Sequence, residues 1–469
     1  MTIIKEFQDV VGEKAVLTDP ADMKGYLVEW RDKYEGTALA ILLPQTTEEV
    51  AEIVKICAKH KTPIVPQGGN TSLVGGGIPF DGGDEVIISL KRMNKIREVD
   101  VAGSTLTVDA GCILADLQKA AEDEDHMFPL RIGSEGTCQI GGNISTNAGG
   151  VQVLHYGNTR DQILGLEVVL PNGDIWNGLT SLRKDNTGYD LKQLFIGGEG
   201  TLGIVTGAVV KMYPRPKYQQ IAMVAVTDVP AAIKLLGLAR GMSGDQVTAL
   251  ELIPRIAIDL VVKNVPDFPD PMPARYGWQV LIELSSSATK DLKGLMEQIL
   301  EKGFEDGIIL DAIVPESLTQ QNKLWQLREE ISAAQKPEGG SIKHDISVPI
   351  AKIPEFIEKA DKAVAAIAPG FRPVTFGHLG DGNLHYNPLQ PEGMDKDAYL
   401  GMWSEISRAV HDIANELRGS ISAEHGIGRL KKNDLPLYKS AVELDIMRKI
   451  KAVFDPDGIM NPGKVLPDQ

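Results

Sequence analysis

Glycine is the residue that most constrains this chain. There are 48, and they gather at 68–83, 133–150 and 197–207. The surroundings are not those of a Gly/Ser linker. Clustered glycine serves tight turns, and it also lets backbone approach a large polyanionic ligand where a Cβ would collide. The first cluster, Gln67-Gly-Gly-Asn-Thr-Ser-Leu73, offers backbone N–H groups and hydroxyl donors within one turn. That is chemistry for pyrophosphate oxygens. By itself such a segment is more often an ordinary turn.

Its flanks read as strand, helix, strand. Ala38 to Leu43 is short and apolar. Pro44-Gln-Thr-Thr-Glu-Glu opens a helix with a Thr cap and an acidic first turn, which the helix dipole favours. Ile53, Val54, Ile56 and Cys57 follow at helical spacing, and Pro63-Ile-Val-Pro66 is a short strand. No GxxxxGK[ST] occurs. No GxGxxG stands between a first strand and a helix with an acidic residue about 20 positions on, so an NAD site is unsupported.

The second cluster runs Gly133-Ser-Glu-Gly-Thr-Cys-Gln-Ile-Gly-Gly-Asn-Ile-Ser-Thr-Asn-Ala-Gly-Gly150. Tyr156-Gly-Asn-Thr-Arg160, a strand from Ile163 to Leu170 and a Pro171-Asn-Gly-Asp turn come next. Lys192-Gln-Leu-Phe-Ile-Gly-Gly-Glu-Gly-Thr-Leu-Gly-Ile-Val-Thr206 closes the region. In this order the segments resemble the FAD-binding domain of the vanillyl-alcohol oxidase/p-cresol methylhydroxylase flavoprotein superfamily. The resemblance implies FAD held by Pro66, Gln67, Gly68, Gly69, Asn70, Thr71 and Ser72 in the pyrophosphate loop. It adds Gly133, Ser134, Gly136, Thr137, Gly141, Gly142, Asn143, Thr146, Ala148, Gly149 and Gly150, then Glu199, Gly200, Gly203, Ile204 and Val205. Some relatives carry a histidine in the pyrophosphate loop that bonds covalently to the flavin. Here Asn70 stands there, and no histidine lies between His60 and His126, so the FAD is expected to be non-covalent.

Pro214-Arg-Pro216 suggests a boundary. From 219 to 310 strands alternate with helices: Ile221–Val226, a helix through Leu235–Ala239, Thr248–Leu252, Trp278–Leu284, and a helix through Leu292–Glu301. This reads as an antiparallel sheet with helices on one side. The fold class expected is α+β: a two-part FAD-binding domain (1–214), an α+β substrate or cap domain with an antiparallel sheet (215–420), and a C-terminal segment returning to the flavin (421–469).

Two short motifs hold three of the eight histidines. In Gly377-His-Leu-Gly-Asp-Gly-Asn-Leu-His-Tyr-Asn387, Gly380-Asp-Gly382 is a turn signal between two strands. A hairpin there brings His378 and His385 together, with Asn387 on the face of His385. The second motif, Ser422-Ala-Glu-His-Gly-Ile-Gly428, sets Glu424 beside His425. Two histidines and a carboxylate suit a divalent metal with open positions, although two histidines seven apart are usually unrelated. The motifs resemble those of the metal-containing, FAD-linked D-2-hydroxy-acid dehydrogenases of the same superfamily. The ending Phe454-Asp-Pro-Asp-Gly-Ile-Met-Asn-Pro-Gly-Lys464 resembles that group's end, which implies that Asn461 returns to the flavin ring.

The resemblance assigns His378, His385 and Glu424 to the metal and His425 to the general base; the residues alone leave ligand and base interchangeable. Zinc is the metal expected first, and iron or manganese also suits such a site. A 2-hydroxy acid chelates a cation through hydroxyl and carboxylate oxygens, which lowers the hydroxyl pKa. Histidine, titrating near neutrality, removes the hydroxyl proton as the C2 hydride passes to flavin N5.

For the substrate, Leu327 to Ala334 reads as a helix with Arg328 and Ser332 on one face. Ser341-Ile-Lys-His-Asp-Ile-Ser-Val-Pro349 carries Lys343. This stretch resembles that of the D-2-hydroxyglutarate branch, lysine included, and the lactate and glycolate branches lack a lysine there. The resemblance implies that Arg328, Ser332 and Lys343 grip carboxylates, assisted by Asn387. The substrate expected is D-2-hydroxyglutarate or D-malate. D-lactate or glycolate dehydrogenation is the nearer alternative, and a non-catalytic flavin subunit of an electron-transfer complex the farther one.

Composition sets the remaining limits. The chain has 469 residues, 43% hydrophobic and 24% charged, a soluble globular composition. A net charge of −16 disfavours nucleic acid and requires an anion site to hold its own cations. Cys57, Cys112 and Cys138 form no paired framework, and no secretory signal or transmembrane run is visible, so a reducing, cytoplasmic setting is expected. No haem or iron–sulfur motif is present. The expected acceptor is external: electron-transfer flavoprotein, a quinone or cytochrome c. A homodimer is a family-based expectation.

Overall fold

The computed structural model describes residues 2–288 and 290–467. The chain divides into two compact units. One comprises Met1–Gly150, Gly157–Arg215 and Glu424–Gln469; the other comprises Val151–Tyr156 and Pro216–Ala423. The division after Arg215 falls inside Pro214-Arg-Pro216, where prolines withhold N–H groups from any continuing ladder. Val151–Tyr156, which the sequence reading kept with the first domain, clusters with the second unit.

In the first unit, Ala40–Leu42, Val86–Ser89 and Ile64–Gln67 form a parallel array, edged by antiparallel Val16–Leu17. The parallel strands are almost wholly buried, as continuous apolar runs such as Val86-Ile-Ile-Ser89 require. Thr46 caps the helix Thr47–His60 by accepting from Glu49 N at 3.2 Å. That helix buries Val50, Ile53, Val54 and Cys57, one stripe at helical spacing. A second, antiparallel sheet runs Ile96–Asp100, Thr105–Asp109, Ile204–Lys211, Ile163–Val169, Ile175–Gly178.

Buried Glu167 ties this sheet to the helix. Its carboxylate accepts from Thr47 Oγ1 (2.6 Å), Thr206 Oγ1 (3.0 Å) and Arg97 Nη2 (2.8 Å). Arg97 also reaches Asp109 at 2.6 Å. Burial opposes the Glu167 charge, but these donors hold its carboxyl below the usual range. The terminal segment extends the parallel sheet at its Ile64–Gln67 edge. Ile64 N donates to Ile459 O at 2.7 Å, and Asn461 N donates to Ile64 O at 2.8 Å.

The second unit is built on one antiparallel seven-stranded sheet. Its order is Ile309–Ile313, Tyr218–Val226, Trp278–Ser286, Val247–Pro254, Arg372–His378, Asn383–Leu389, His344–Ser347. Helices cover both faces, not one as the sequence suggested. Ala222, Val224 and Val226 pack with the helices Val229–Ser243, Leu292–Glu305, Ile353–Ile367 and Trp403–Glu416. Ile221, Met223 and Ala225 pack with Arg255–Asn264 and Leu318–Ala334. The reason is in the strand itself: Ile221-Ala-Met-Val-Ala-Val226 is apolar at consecutive positions, so each face must be covered.

Glu167→Ala removes the carboxylate that accepts from Thr47, Thr206 and Arg97. We expect a loss of about 1–3 kcal/mol, read by circular dichroism as a fall of roughly 2–10 °C in the melting of this unit. An unchanged melt would mean that the carboxylate is not paired in solution.

Candidate functional site

In the first unit the glycine-rich loops meet. The loop after Pro66 and Gln67 packs on the segment 137–142: a Cβ at Gly68 would lie 3.6 Å from Gly142 Cα, and one at Gly69 would run into the Thr137 carbonyl. Gly141 leaves 2.7 Å to Ala110 Cβ, and Gly203 leaves 2.8 Å to Val168 Cγ1. Close protein packing by itself already requires glycine at Gly69, Gly141 and Gly203. Gly133, Gly136 and Gly142 differ, since a Cβ there meets nothing within 4 Å.

Several predicted cofactor residues serve the loops themselves. Gln67 Nε2 donates to Tyr26 O and Gly77 O. Asn70 Nδ2 donates to Val28 O at 2.9 Å. Ser134 O accepts from Thr137 N, Thr146 Oγ1 donates to Gly142 O, and Ala148 O accepts from Thr159. Thr71 and Ser72 stand half-buried beside Asn70; Ile204 and Val205 open a buried strand. Glu199, next to Gly200, accepts from Ile427 N (2.7 Å) and Gly428 N (2.8 Å). Burial raises its carboxyl pKa against the pull of those N–H groups and of Lys431. Asn461 Nδ2 donates to Glu199 O (2.8 Å) and Gly76 O (3.1 Å). Gly150 N donates to Glu424 Oε1 at 3.0 Å, and a Cβ at Gly149 would lie 2.8 Å from that oxygen.

The buried acceptors of this unit without a hydrogen-bond partner among the described residues include Gln139 Oε1, Asn143 Oδ1 and Asn461 Oδ1. Buried polar atoms are rarely left so. Asn70, Asn147, Glu199 and Asn461 all adopt left-handed backbone, φ 44° to 54°, which gathers strain in these loops. Open glycine surface, orphaned acceptors and strained turns fit a bound dinucleotide such as FAD.

The second unit assembles a different cluster on one sheet face. His378 ends the strand Arg372–His378, and His385 lies in Asn383–Leu389. The turn between them uses Gly382 at φ 85°, where a Cβ would run into Val348 O. As the turn signal implied, the two imidazoles come together, with ring centres 5.5 Å apart. Two converging imidazoles fit a divalent cation. His378 Nδ1 lies 2.5 Å from Glu251 Oε1, and Arg328 Nε lies 2.5 Å from Glu251 Oε2. The Arg328 guanidinium stands 4.8 Å over the Phe376 ring, whose centre is 5.1 Å from that of His385. Glu251 is fully buried; burial opposes its charge, yet Arg328 and His378 hold its carboxyl at about 2. Asp381, in the turn, is pushed up to about 6 by burial, partly offset by His378.

The sequence reading missed Glu251 and Phe376. The available signal was a lone carboxylate inside the apolar run Thr248-Ala-Leu-Glu-Leu-Ile253. Arg328 has a carboxylate of this chain as its partner, Glu251. Arg328 is buried whereas Ser332, one turn on, is exposed, so the two do not share an environment. Lys343 is half-buried just before the strand His344–Ser347. Asn387 is buried on the His385 face, opposite Val374. Glu424 and His425, both half-buried, begin the terminal segment of the first unit.

A family model described as "FAD binding domain" matches residues 38–178, and one described as "FAD linked oxidases, C-terminal domain" matches residues 215–465. The chain is 39% identical over 465 residues to the probable mitochondrial D-2-hydroxyglutarate dehydrogenase of Oryza sativa subsp. indica, covering 99% of this chain and 81% of that protein. It is 36% identical over 463 residues to the D-2-hydroxyglutarate dehydrogenase of Stutzerimonas stutzeri (strain A1501), covering 99% and 98%. Substrate-bound p-cresol methylhydroxylase superposes with a TM-score of 0.75 at 17% identity, covering 99% of this chain and 96% of that one, a likeness of fold.

The histidines nearest in sequence to the pyrophosphate loop point elsewhere: His60 Nε2 pairs with Glu6 at 2.9 Å, and His126 Nδ1 with Glu124 O at 2.7 Å. Acid precipitation of the purified protein should therefore leave the yellow flavin in the supernatant. Flavin retained in the pellet would show a covalent bond.

Proposed function

The chain belongs to the FAD-linked oxidase family, and on that premise we propose that it oxidises D-2-hydroxyglutarate to the 2-oxo acid with the help of a divalent cation. It is an FAD-dependent oxidoreductase acting on a CH–OH donor. The observation that carries the substrate reading is relatives of that name aligned over almost the whole chain at 36–39% identity.

In this reading FAD, when bound, would supply the acceptor for the C2 hydride. The cation, zinc first, would supply Lewis acidity toward the hydroxyl and carboxylate oxygens of the substrate. His378 and His385 would hold it, with Glu424 as the third ligand carried over from the family motif. His425 takes the hydroxyl proton. Arg328 and Lys343 meet the carboxylates, and Asn387 orients the substrate. In a protein of net charge −16, a dianion needs such local cations. Electrons leave to an external acceptor. A reducing, cytoplasmic setting accords with Cys57, Cys112 and Cys138, which are free and buried.

Three measurements test this. Anaerobic mixing with D-2-hydroxyglutarate should bleach the flavin. A charge-assisted contact of about 1.5–3 kcal/mol predicts a roughly 10- to 150-fold preference in kcat/KM over D-lactate. Lys343→Ala should erase most of that preference and spare lactate turnover; a wild type that favours lactate or glycolate would install those substrates instead. Chelation should abolish turnover while FAD stays bound, and zinc or manganese should restore it. Full activity in protein shown metal-free by elemental analysis would sink the cation. His425→Ala should lower kcat by roughly 10²–10⁴-fold with FAD and metal retained. A near-normal kcat would move the base elsewhere.

A further inference from the structure

Glu251 lies directly across from His378 in the pairing of Val247–Pro254 with Arg372–His378. Directly opposed residues on one sheet face hold their side chains about 4.5–5.5 Å apart at Cβ, so this contact is set by the backbone. Its two oxygens are divided: Oε1 to His378 Nδ1 and Oε2 to Arg328 Nε, each at 2.5 Å. Ion-paired with Arg328, the carboxylate can only accept, so His378 Nδ1 carries the proton in that bond. The ligating atom of that ring is then Nε2. On the other side, Arg328 engages Glu251 through Nε, which leaves the Nη1 and Nη2 end of the fork to meet a planar carboxylate. A ring of contacts closes through Phe376, which touches both the Arg328 guanidinium and His385.

A neighbouring buried carboxylate shows what a purely structural one looks like. Glu283, on the adjacent strand, accepts from the neutral donors Thr248 Oγ1 (2.8 Å), Ser285 Oγ (3.2 Å) and Trp325 Nε1 (3.1 Å). Glu251 instead joins one histidine to one arginine. Buried ion pairs are weak devices for stability, since apolar residues of similar volume do as well. A carboxylate on the outer nitrogen of a ligating histidine, by contrast, fixes its tautomer and its orientation.

We propose that Glu251 is a positioning residue that serves two partners at once: it presents His378 Nε2 to the metal and sets the Arg328 fork for the distal carboxylate of the substrate. The inference rests on the proposed metal and dicarboxylate reading, and the test separates the two. Wild-type protein is assayed first for bound metal; an active wild type without metal ends the underlying reading before any variant is made.

Metal affinity is then measured by chelator competition, alongside KM, kcat, FAD content and thermal unfolding, in Glu251→Gln, Arg328→Gln and the double variant. Glu251→Gln should weaken metal binding about 10- to 100-fold with FAD retained. Arg328→Gln should keep the metal affinity and raise KM for the dicarboxylate more than it lowers kcat. The double variant, which leaves no unpaired buried cation, should lose metal affinity as Glu251→Gln does. Metal affinity unchanged in Glu251→Gln or in the double variant overturns the proposal. So does equal metal loss in Arg328→Gln, which would mark a general packing defect. Recovery of both Glu251 variants only as aggregate assigns the carboxylate to structure and overturns it equally.

Discussion

The charge on Glu251 organises the second unit. A fully buried carboxylate is tolerated only when its desolvation is offset by partners held in good geometry. Here the offset comes from two elements distant in sequence, the helix Leu318–Ala334 and the strand Arg372–His378. The helix must present Arg328 inward, and the strand must pair so that His378 faces Glu251. A one-residue slip of that strand would send His378 to the opposite face and strand the carboxylate. The same pairing fixes Phe376 two residues earlier, and with it the contact to His385.

The first unit obeys a related constraint with backbone groups in place of cations. Glu199 is buried and meets N–H groups of Ile427 and Gly428, while its own carbonyl accepts from Asn461. The terminal segment is held by these contacts and by the ladder it forms with Ile64. Residues more than two hundred positions apart thus share one set of loops. The left-handed backbone at Asn70, Glu199 and Asn461 shows that the loops are held against local preference.

Much of this was legible in the residues. The Thr46 cap, the apolar stripe of the following helix, the strand Ile163–Val169 and the Gly380–Gly382 turn are local signals, and each formed where the pattern placed it. The approach of His378 to His385 followed from the Gly380-Asp-Gly382 turn signal alone. Other readings failed where a local pattern had no access to the outcome. Arg328 and Ser332 lie one turn apart on the helix Leu318–Ala334 as the spacing implied, yet one is buried and the other exposed, a difference the spacing does not carry. Helices cover both faces of the large sheet, since the two on the second face, Arg255–Asn264 and Leu318–Ala334, are not among the helices of the alternating pattern over residues 219–310.

By itself, the sequence determined the elements, the loop chemistry and the family they resemble, because caps, turns, glycines and short motifs act over a few residues. Tertiary structure decided which glycines serve packing and which leave open surface, a distinction between Gly69 or Gly141 and Gly142 that no composition carries. It also decided the partners of Glu251, 127 residues from His378 and 77 from Arg328. A buried charge finds its counter-charges through strand register and helix docking, and these are settled only when the whole core packs.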